Sequence, residues 1–323
     1  MMRAIALTGP TAVGKTALSL TLATLYSCEI LSLDSMQIYR GMDIGTAKVT
    51  AEERGTIVHH LMDICEPTQS FSAADYAEAA LAVMQDVTAR DRVPLFVGGT
   101  GLYLSTLLRG EAATPASDPA YHEMRLRQAK EQGAQALYEE LCRKDPVSAS
   151  AMHANNVRRV IRALEIYDKT GIPKSQFDAQ SRLCEPRIEL CHITLTVHDR
   201  ERLYERTDAR VDAMVEAGLV EEVRALYASG RLLEGTTAAQ AIGYKEMLAY
   251  VLGYESLDAC IARLKLSTRH YVKRQLTWFS HCPEAHPVFV DREDGTPASR
   301  EHVIAEIARL LNDHGFTPTQ NLY

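Results

Sequence analysis

The sequence predicts an α/β protein of the P-loop NTPase-like kind: a mainly parallel sheet flanked by helices, carrying a helical insertion domain. Three observations carry that prediction. The first is Gly9-Pro10-Thr11-Ala12-Val13-Gly14-Lys15-Thr16, a G-x-x-x-x-G-K-T run between a short apolar segment and one of helical composition. The second is the alternation of apolar runs with helix-like stretches through the first hundred residues, the pattern of strands joined by crossover helices. The third is the block from Tyr121 to Asp178, rich in Ala, Leu, Glu, Lys and Arg and without a convincing strand.

In chain order, Ala4–Thr8 is the first strand, and it feeds the glycine-rich turn. Ala17–Tyr26 reads as a helix, and Glu29–Leu33 as a second strand ending at Asp34. Ser72–Arg90 opens on a serine cap and continues as a long helix. Val93–Val97 is a third strand closing on Gly98-Gly99-Thr100-Gly101, and Leu102–Leu108 is helical. Around Glu111–Pro119 the composition shifts to Ala, Thr, Pro, Ser and Asp, as at a boundary. After Pro186, the alternation in Arg187–Val197 predicts a strand that returns to the sheet. From Asp199 to about Leu257 the chain is helical again, broken at Gly218, Gly230, Gly235 and Gly253. The expected organisation is therefore a first part of the core over residues 1–112 and a helical insertion over 113–186. Residues 187–315 return to the core with C-terminal helices, and 316–323 are a loose tail.

Composition narrows the function classes. The chain has 323 residues, with 35 Lys plus Arg against 42 Asp plus Glu, a formal net charge of −7. Such a balance gives no global attraction to nucleic acid or anionic lipid, so a polyanion must be held by a local patch. No stretch approaches the roughly 18 apolar residues of a membrane span. The seven cysteines are scattered and contain no C-x-x-C, which disfavours a disulfide framework and a zinc site. A cytoplasmic protein with reduced thiols is expected. Nothing demands a dimer, so a monomer is expected.

The strongest chemical signal is the glycine-rich loop. Its backbone N–H groups can turn inward around a phosphate, and the helix that follows adds partial positive charge. Lys15 supplies a full charge, and the Thr16 hydroxyl is a candidate ligand for Mg2+. The loop implies a phosphate or diphosphate without saying whose. Asp34-Ser35 ends the second strand, on the expected rim of the loop. There a carboxylate suits a metal ligand, a general base or a simple turn cap. Gly41–Lys48 is a polar, glycine-containing loop long enough to reach over a substrate. His59-His60 has no third ligand nearby and is expected to be structural.

Charge is unevenly distributed. From Ala262 to Pro283 there is no Asp or Glu, whereas Arg263, Lys265, Arg269, His270, Lys273 and Arg274 are present. At about 100° per residue, Ile261, Leu264, Tyr271, Val272, Gln275 and Trp278 share one side of a helix, and the basic residues take the other. An acid-free basic stripe favours a polyanion over an ordinary solvated face. Asn155 to Arg162 adds three arginines and two amides within the insertion. Arg206 and Arg210 stand i, i+4, placed either to pair with neighbouring acids or to close on a phosphate.

Across nearly its whole length the chain resembles the bacterial tRNA dimethylallyltransferases (tRNA isopentenyltransferases). The resemblance rests on GPTAVGKT at Gly9–Thr16, DSMQIYRGMDIGTAK at Asp34–Lys48, HHLMDI at His59–Ile64 and GGTGLY at Gly98–Tyr103. RRVIRALEI at Arg158–Ile166, QAIGYKEM at Gln240–Met247 and TRHYVKRQLTWF at Thr268–Phe279 follow in the family's order. The resemblance implies transfer of a dimethylallyl group from dimethylallyl diphosphate to N6 of the adenine 3′ of the anticodon, with Mg2+. It assigns the loop residues Gly9, Pro10, Thr11, Ala12, Val13, Gly14, Lys15 and Thr16 to the diphosphate. Asp34 becomes the general base, Thr100 the residue that positions the amine, and Arg210 a stabiliser of the leaving group. Contacts to the tRNA anticodon stem-loop are implied for Asp34, Ser35, Met36, Gln37 and Thr100. They are also implied for Arg158, Arg159, Val160, Ile161 and Arg162, and for Gln240, Ala241, Ile242, Gly243, Tyr244 and Lys245. Lys273, Arg274, Gln275, Leu276, Thr277, Trp278, Phe279 and Ser280 complete the set, with Arg125 a weaker candidate in the insertion. Two alternatives share part of this evidence: a small-molecule kinase using ATP, and a non-catalytic RNA-binding module. The acid-free stripe argues against the first, and intact Lys15, Thr16 and Asp34 against the second.

Overall fold

A computed structural model of the chain describes residues 2–109, 114–115, 117–183 and 187–319. In order, the elements are β1 (Met2–Thr8), α1 (Lys15–Leu25), β2 (Cys28–Leu33), α2 (Ala51–Arg54), β3 (His59–His60), α3 (Ala73–Ala89), β4 (Val93–Gly98) and α4 (Gly101–Arg109). There follow α5 (Pro119–Gln132), α6 (Ala134–Lys144), α7 (Pro146–Ser150), α8 (Val157–Thr170) and α9 (Lys174–Leu183). The chain then runs through β5 (Ile188–Thr196), α10 (Arg200–Glu216), α11 (Leu219–Ala228), α12 (Tyr244–Val251), α13 (Leu257–Ser280), β6 (His286–Phe289) and α14 (Arg300–Asp313). Among the described residues, no helix is long and apolar enough to cross a membrane.

The chain divides into two compact units, Met1–Leu107 with Arg187–Tyr323, and Leu108–Pro186. The first holds a six-stranded sheet in the order β3-β2-β4-β1-β5-β6, every pairing parallel. All six residues of β2 are buried, the unbroken run expected of a strand covered on both faces. The register aligns Thr8 with Gly98 and Thr194, and Leu33 with Gly98. The C-terminal ends of β1, β2 and β4 are therefore level, and the turns that follow them share one rim, where open α/β sheets bind ligands. One apolar cluster packs α1 and α14 against β1 and β5 through Leu22, Ile193 and Ile307. A second gathers Ile38, Tyr39 and Met42 with Leu219, Tyr244 and Leu264 of α11 to α13.

Two strands were not predicted. β3 has two residues and β6 has four, with Pro287 among them, so neither offers enough alternation to read. His60 is structural, its Nε2–H donating to the buried Glu29 carboxylate at 2.7 Å, and Arg90 pairs with the same group at 2.7 Å. The expected loose tail is also corrected over its first residues. Phe316 is buried, and Thr319 donates its N–H to Leu25 O at 2.8 Å. The boundary expected between residues 112 and 113, and residues 320–323, lie outside the described residues.

The second unit is all helical over its described residues and closes on Leu137, Leu141, Val160, Ile161 and Leu164. An ion cluster ties its helices together. Arg125 donates to Glu140 at 2.9 Å and to Asp168 at 2.8 Å, and Lys144 reaches the same two carboxylates at 2.6 and 2.5 Å. Arg125, the weaker candidate for an RNA contact, is thus engaged in ion pairs within its own unit.

Candidate active site

The loop after β1 is shaped by positive backbone angles that favour glycine. Gly9 has φ +139°, and a Cβ there would lie 2.5 Å from Leu195 O; Gly14 has φ +106°. Lys15 opens α1 and folds back, its Nζ donating to Gly9 O at 2.9 Å and Pro10 O at 2.7 Å. Burial, and then the positive charge of Arg210, bring the Lys15 ammonium down to about 7, against the opposing pull of Asp34. Arg210 is itself lowered by burial, and its Nε is a buried donor without a partner. Sequence reasoning left open whether Arg206 and Arg210 pair with acids. Neither makes an ion pair among the described residues, and both line the cavity over the loop. Two guanidinium groups and an ammonium converging without an ion-pair partner have the charge and donors that suit a polyanion.

Asp34 follows β2 on the same rim. Its Oδ1 accepts the N–H groups of Met36 at 2.8 Å and Gln37 at 3.3 Å. The cap reading of this residue is thus correct for one oxygen, while the residue also lines the cleft. Thr100, after β4, is tied to the same strand end: its N–H donates to Leu33 O at 3.1 Å and its Oγ1 accepts from Ser35 N–H at 3.1 Å.

Two cavities meet here. One, of about 410 Å3, runs over the phosphate loop past Thr16, Arg206 and Ser32. The other, of about 260 Å3, is lined by Met36, Val211, Met214, Ile242, Thr268 and Arg274 among others. Thr11, Asp34, Thr46, Arg210 and Tyr271 line both, so the carboxylate and the guanidinium stand at their junction. Burial, followed by the negative charge of Asp34, raises the Tyr271 hydroxyl far above its ordinary value and keeps it protonated.

The residues of helix α13 expected to contact RNA divide between buried and exposed positions. Gln275 is buried and braces the loop: its Oε1 accepts Thr11 N–H at 2.9 Å and its Nε2 donates to Gly99 O at 3.1 Å. The close approaches at Gly99 and Gly101 are made by this helix, because Cβ atoms there would lie 2.0 Å from Gln275 Nε2 and from Trp278 Nε1. Phe279 is buried. The basic stripe is also shorter than its sequence suggests. Arg269 pairs with Asp208 and Lys265 with Asp212, both on α10, and Arg263 pairs with Glu255. The acids missing from α13 are supplied by its neighbours. Lys273, Arg274, Thr277, Trp278 and Ser280 remain exposed, and Leu276 is half-buried. Trp278, placed by periodicity on the packed side, is 41% exposed.

The other assigned contacts divide in the same way. In α8, Arg158 and Arg159 are exposed, whereas Val160 and Ile161 are core residues. Arg162 donates to the buried Glu165 at 2.7 Å and to Pro115 O at 2.7 Å. Gln240 and Lys245 are exposed, and Ala241, Ile242 and Gly243 line the smaller cavity. Tyr244 is fully buried. The loop at 41–48 is pinned rather than free to swing: Lys48 Nζ donates to Tyr39 O at 2.6 Å and to Asp43 and Asp63 at 2.7 and 2.5 Å.

Fold and site together define a P-loop-like α/β protein whose cationic loop faces a carboxylate at the meeting point of two cavities. The model of the family described as IPP transferase matches residues 37–282, and the chain belongs to that family. A tRNA dimethylallyltransferase of Bacillus pumilus is 48% identical over 276 residues, covering 85% of this chain and 86% of that one. One from Shouchella clausii is 48% identical over 313 residues, 97% of this chain and 98% of the relative. Among solved structures, the tRNA isopentenylpyrophosphate transferase of Bacillus halodurans superposes with a TM-score of 0.71 at 40% identity, covering 98% of each chain. A eukaryotic dimethylallyltransferase acting on tRNA gives 0.77 at 27% identity, covering 99% of this chain and 82% of that one.

Proposed function

We propose that this protein is a tRNA dimethylallyltransferase, which moves the dimethylallyl group of dimethylallyl diphosphate to N6 of the adenine 3′ of the anticodon and releases diphosphate. The observation that carries the reading is the junction of the two cavities at Asp34, Arg210 and Tyr271. A donor held over the phosphate loop and an acceptor base entering by the other opening would meet beside a carboxylate. The kinase alternative is not favoured, since the family and its named members are prenyl transferases.

The residues present suit the reaction. The amine lone pair attacks the allylic carbon, the carbon–oxygen bond to the diphosphate breaks, and the diphosphate leaves with that electron pair. Lys15, Arg210 and the N–H groups of the loop stabilise the departing charge, the largest catalytic term in most such sites. The exocyclic amine becomes acidic as its new bond forms, and Asp34 accepts its proton late. Thr100, fixed by Leu33 O and Ser35 N–H, orients the amine. The base must leave its stack to reach this depth, as for other enzymes that act on bases.

Among the described residues no group of three or more His, Cys, Asp or Glu side chains could hold a metal by itself. Mg2+ takes few protein ligands and arrives with phosphate oxygens and water. Thr16, exposed on the cavity wall, would hold it. Bound there, Mg2+ would neutralise charge on the diphosphate.

Exposed Arg158 and Arg159 on α8, and Lys273, Arg274 and Trp278 on α13, suit the backbone and unstacked bases of an RNA loop. Replacing Lys273 and Arg274 together by Ala is expected to weaken tRNA binding and to reduce the slope of log K against log salt by about 1–2. Filter binding between low and physiological salt measures this, and an unaltered slope would clear the segment of phosphate contact. The reading as a whole is tested by transfer of radiolabel from dimethylallyl diphosphate to unmodified tRNA, with ATP hydrolysis followed in parallel. Label on the adenine beside the anticodon without ATP consumption is expected. Phosphoryl transfer to a small molecule without tRNA labelling would overturn it.

A further inference from the structure

Glu222 lies on α11, outside both cavities, yet its carboxylate is the best-satisfied acceptor near the site. Oε2 accepts the N–H groups of Asp43 at 3.0 Å and Ile44 at 2.8 Å. Oε1 accepts Gly45 N–H at 3.2 Å and the buried Tyr244 hydroxyl at 2.5 Å. Three successive N–H groups pointing at one carboxylate form a backbone nest filled by a side chain of the same protein. Tyr244 adds a steric seal, because a Cβ on Gly45 would lie 2.5 Å from its ring. The turn so fixed presents Thr46 O to Gln37 Nε2 at 3.2 Å. Gln37 is held from the other side by Ser32 Oγ, which donates to its Oε1 at 2.9 Å. Its own N–H ends on Asp34 Oδ1.

We infer that Glu222 is a positioning residue for Asp34, acting through the 43–46 turn and Gln37. The inference rests on the reading of Asp34 as the proton acceptor. A carboxylate that must meet an amine at hydrogen-bond distance loses rate steeply when its orientation slackens. The anchoring chain is made of unlike parts: several bonds at Glu222, one from the Gln37 side chain to Thr46 O, and one from the Gln37 backbone N–H to Asp34. Glu222 meets four donors and no cation among these contacts, so it needs both oxygens. An amide in its place turns an NH2 group toward at least one N–H. A donor left facing another donor costs more than the net gain of an ordinary hydrogen bond.

The test compares Glu222→Gln, Gln37→Met and the double variant with the unaltered protein in single-turnover prenyl transfer. Glu222→Gln is expected to lower the rate about 10–30-fold, as a small displacement of a reacting group does. The KM for dimethylallyl diphosphate should be unchanged, because none of these hydrogen bonds is made to residues 9–16 of the phosphate loop. The double variant should be no slower than the slower single one, since both cut the same path. Equal rates for Glu222→Gln and the unaltered protein would overturn the inference, as would multiplication of the two single effects. Should Glu222→Gln fail to fold, Tyr244→Phe removes one bond and leaves the three N–H contacts. It is expected to lower the rate about threefold at unaltered KM, and an unaltered rate there also counts against the inference. Asp34→Asn is run beside these variants. Active unaltered enzyme with a dead Asp34→Asn and an unaffected Glu222→Gln sinks only the positioning role. An Asp34→Asn variant that keeps its rate sinks the reading beneath it.

Discussion

Asp34→Asn is expected to lower single-turnover prenyl transfer about a thousandfold, within the roughly 10²–10⁴ range that a positioned general base contributes. The substitution is nearly isosteric. An amide oxygen can still accept the N–H groups of Met36 and Gln37 that now end on Oδ1, so the turn after β2 should keep its shape. What is lost is an oxygen able to take a proton. Affinity for tRNA should therefore change little, and filter binding measures that beside the rate. Loss of rate with retained binding separates the chemical role from the cap. A rate equal to that of the unaltered protein would leave Asp34 as a cap alone. Asp34→Ala adds a second loss, because it also frees two N–H groups, and should be the less stable of the two.

The line between what sequence could and could not reveal falls along tertiary contact. The phosphate loop was legible because its function needs a local spacing of glycines, Lys15 and Thr16, and local spacing is what a sequence displays. β1, β2, β4 and β5 were legible for the same reason, each being a short, largely buried segment of six to nine residues whose apolar run or alternation shows locally. β3 and β6 belong to the sheet only through their neighbours. The α13 stripe makes the point most clearly. Its helical spacing is as predicted, but Asp208 and Asp212, more than fifty residues away in sequence, neutralise two of its cations. Gln275 carries no sequence mark that separates a loop brace from an RNA contact, since both need an amide at that turn of the helix. Glu222 is the second acid of an ordinary amphipathic helix, and only the fold brings the 43–45 N–H groups to it.

Lys15 should control use of the donor, with an unusual pH dependence. Lys15→Ala removes a full charge from the centre of the diphosphate site and is expected to lower kcat/KM for dimethylallyl diphosphate about 10²–10³-fold, the cost of deleting one preorganised stabiliser. The pH prediction follows from its environment. With its ammonium brought down to about 7 by burial and by Arg210, Lys15 is charged below that pH and loses its proton above it. The parameter kcat/KM reports the free enzyme, so it should fall as pH rises through about 7. Once the diphosphate is bound, its negative charge restores the ammonium, and kcat should stay level well above that pH. Lys15→Arg keeps a charge that does not titrate in this range, so the alkaline limb of kcat/KM should vanish even if the absolute value drops. Rates from pH 6 to pH 9 with saturating tRNA decide the matter. A limb that persists in Lys15→Arg would place the titrating group elsewhere. Arg210 then offers the second check, because its charge acts on Lys15 more strongly than that of Asp34 and lowers it. Replacing it by Gln should move the limb to higher pH while slowing turnover, two effects of opposite sense from one residue.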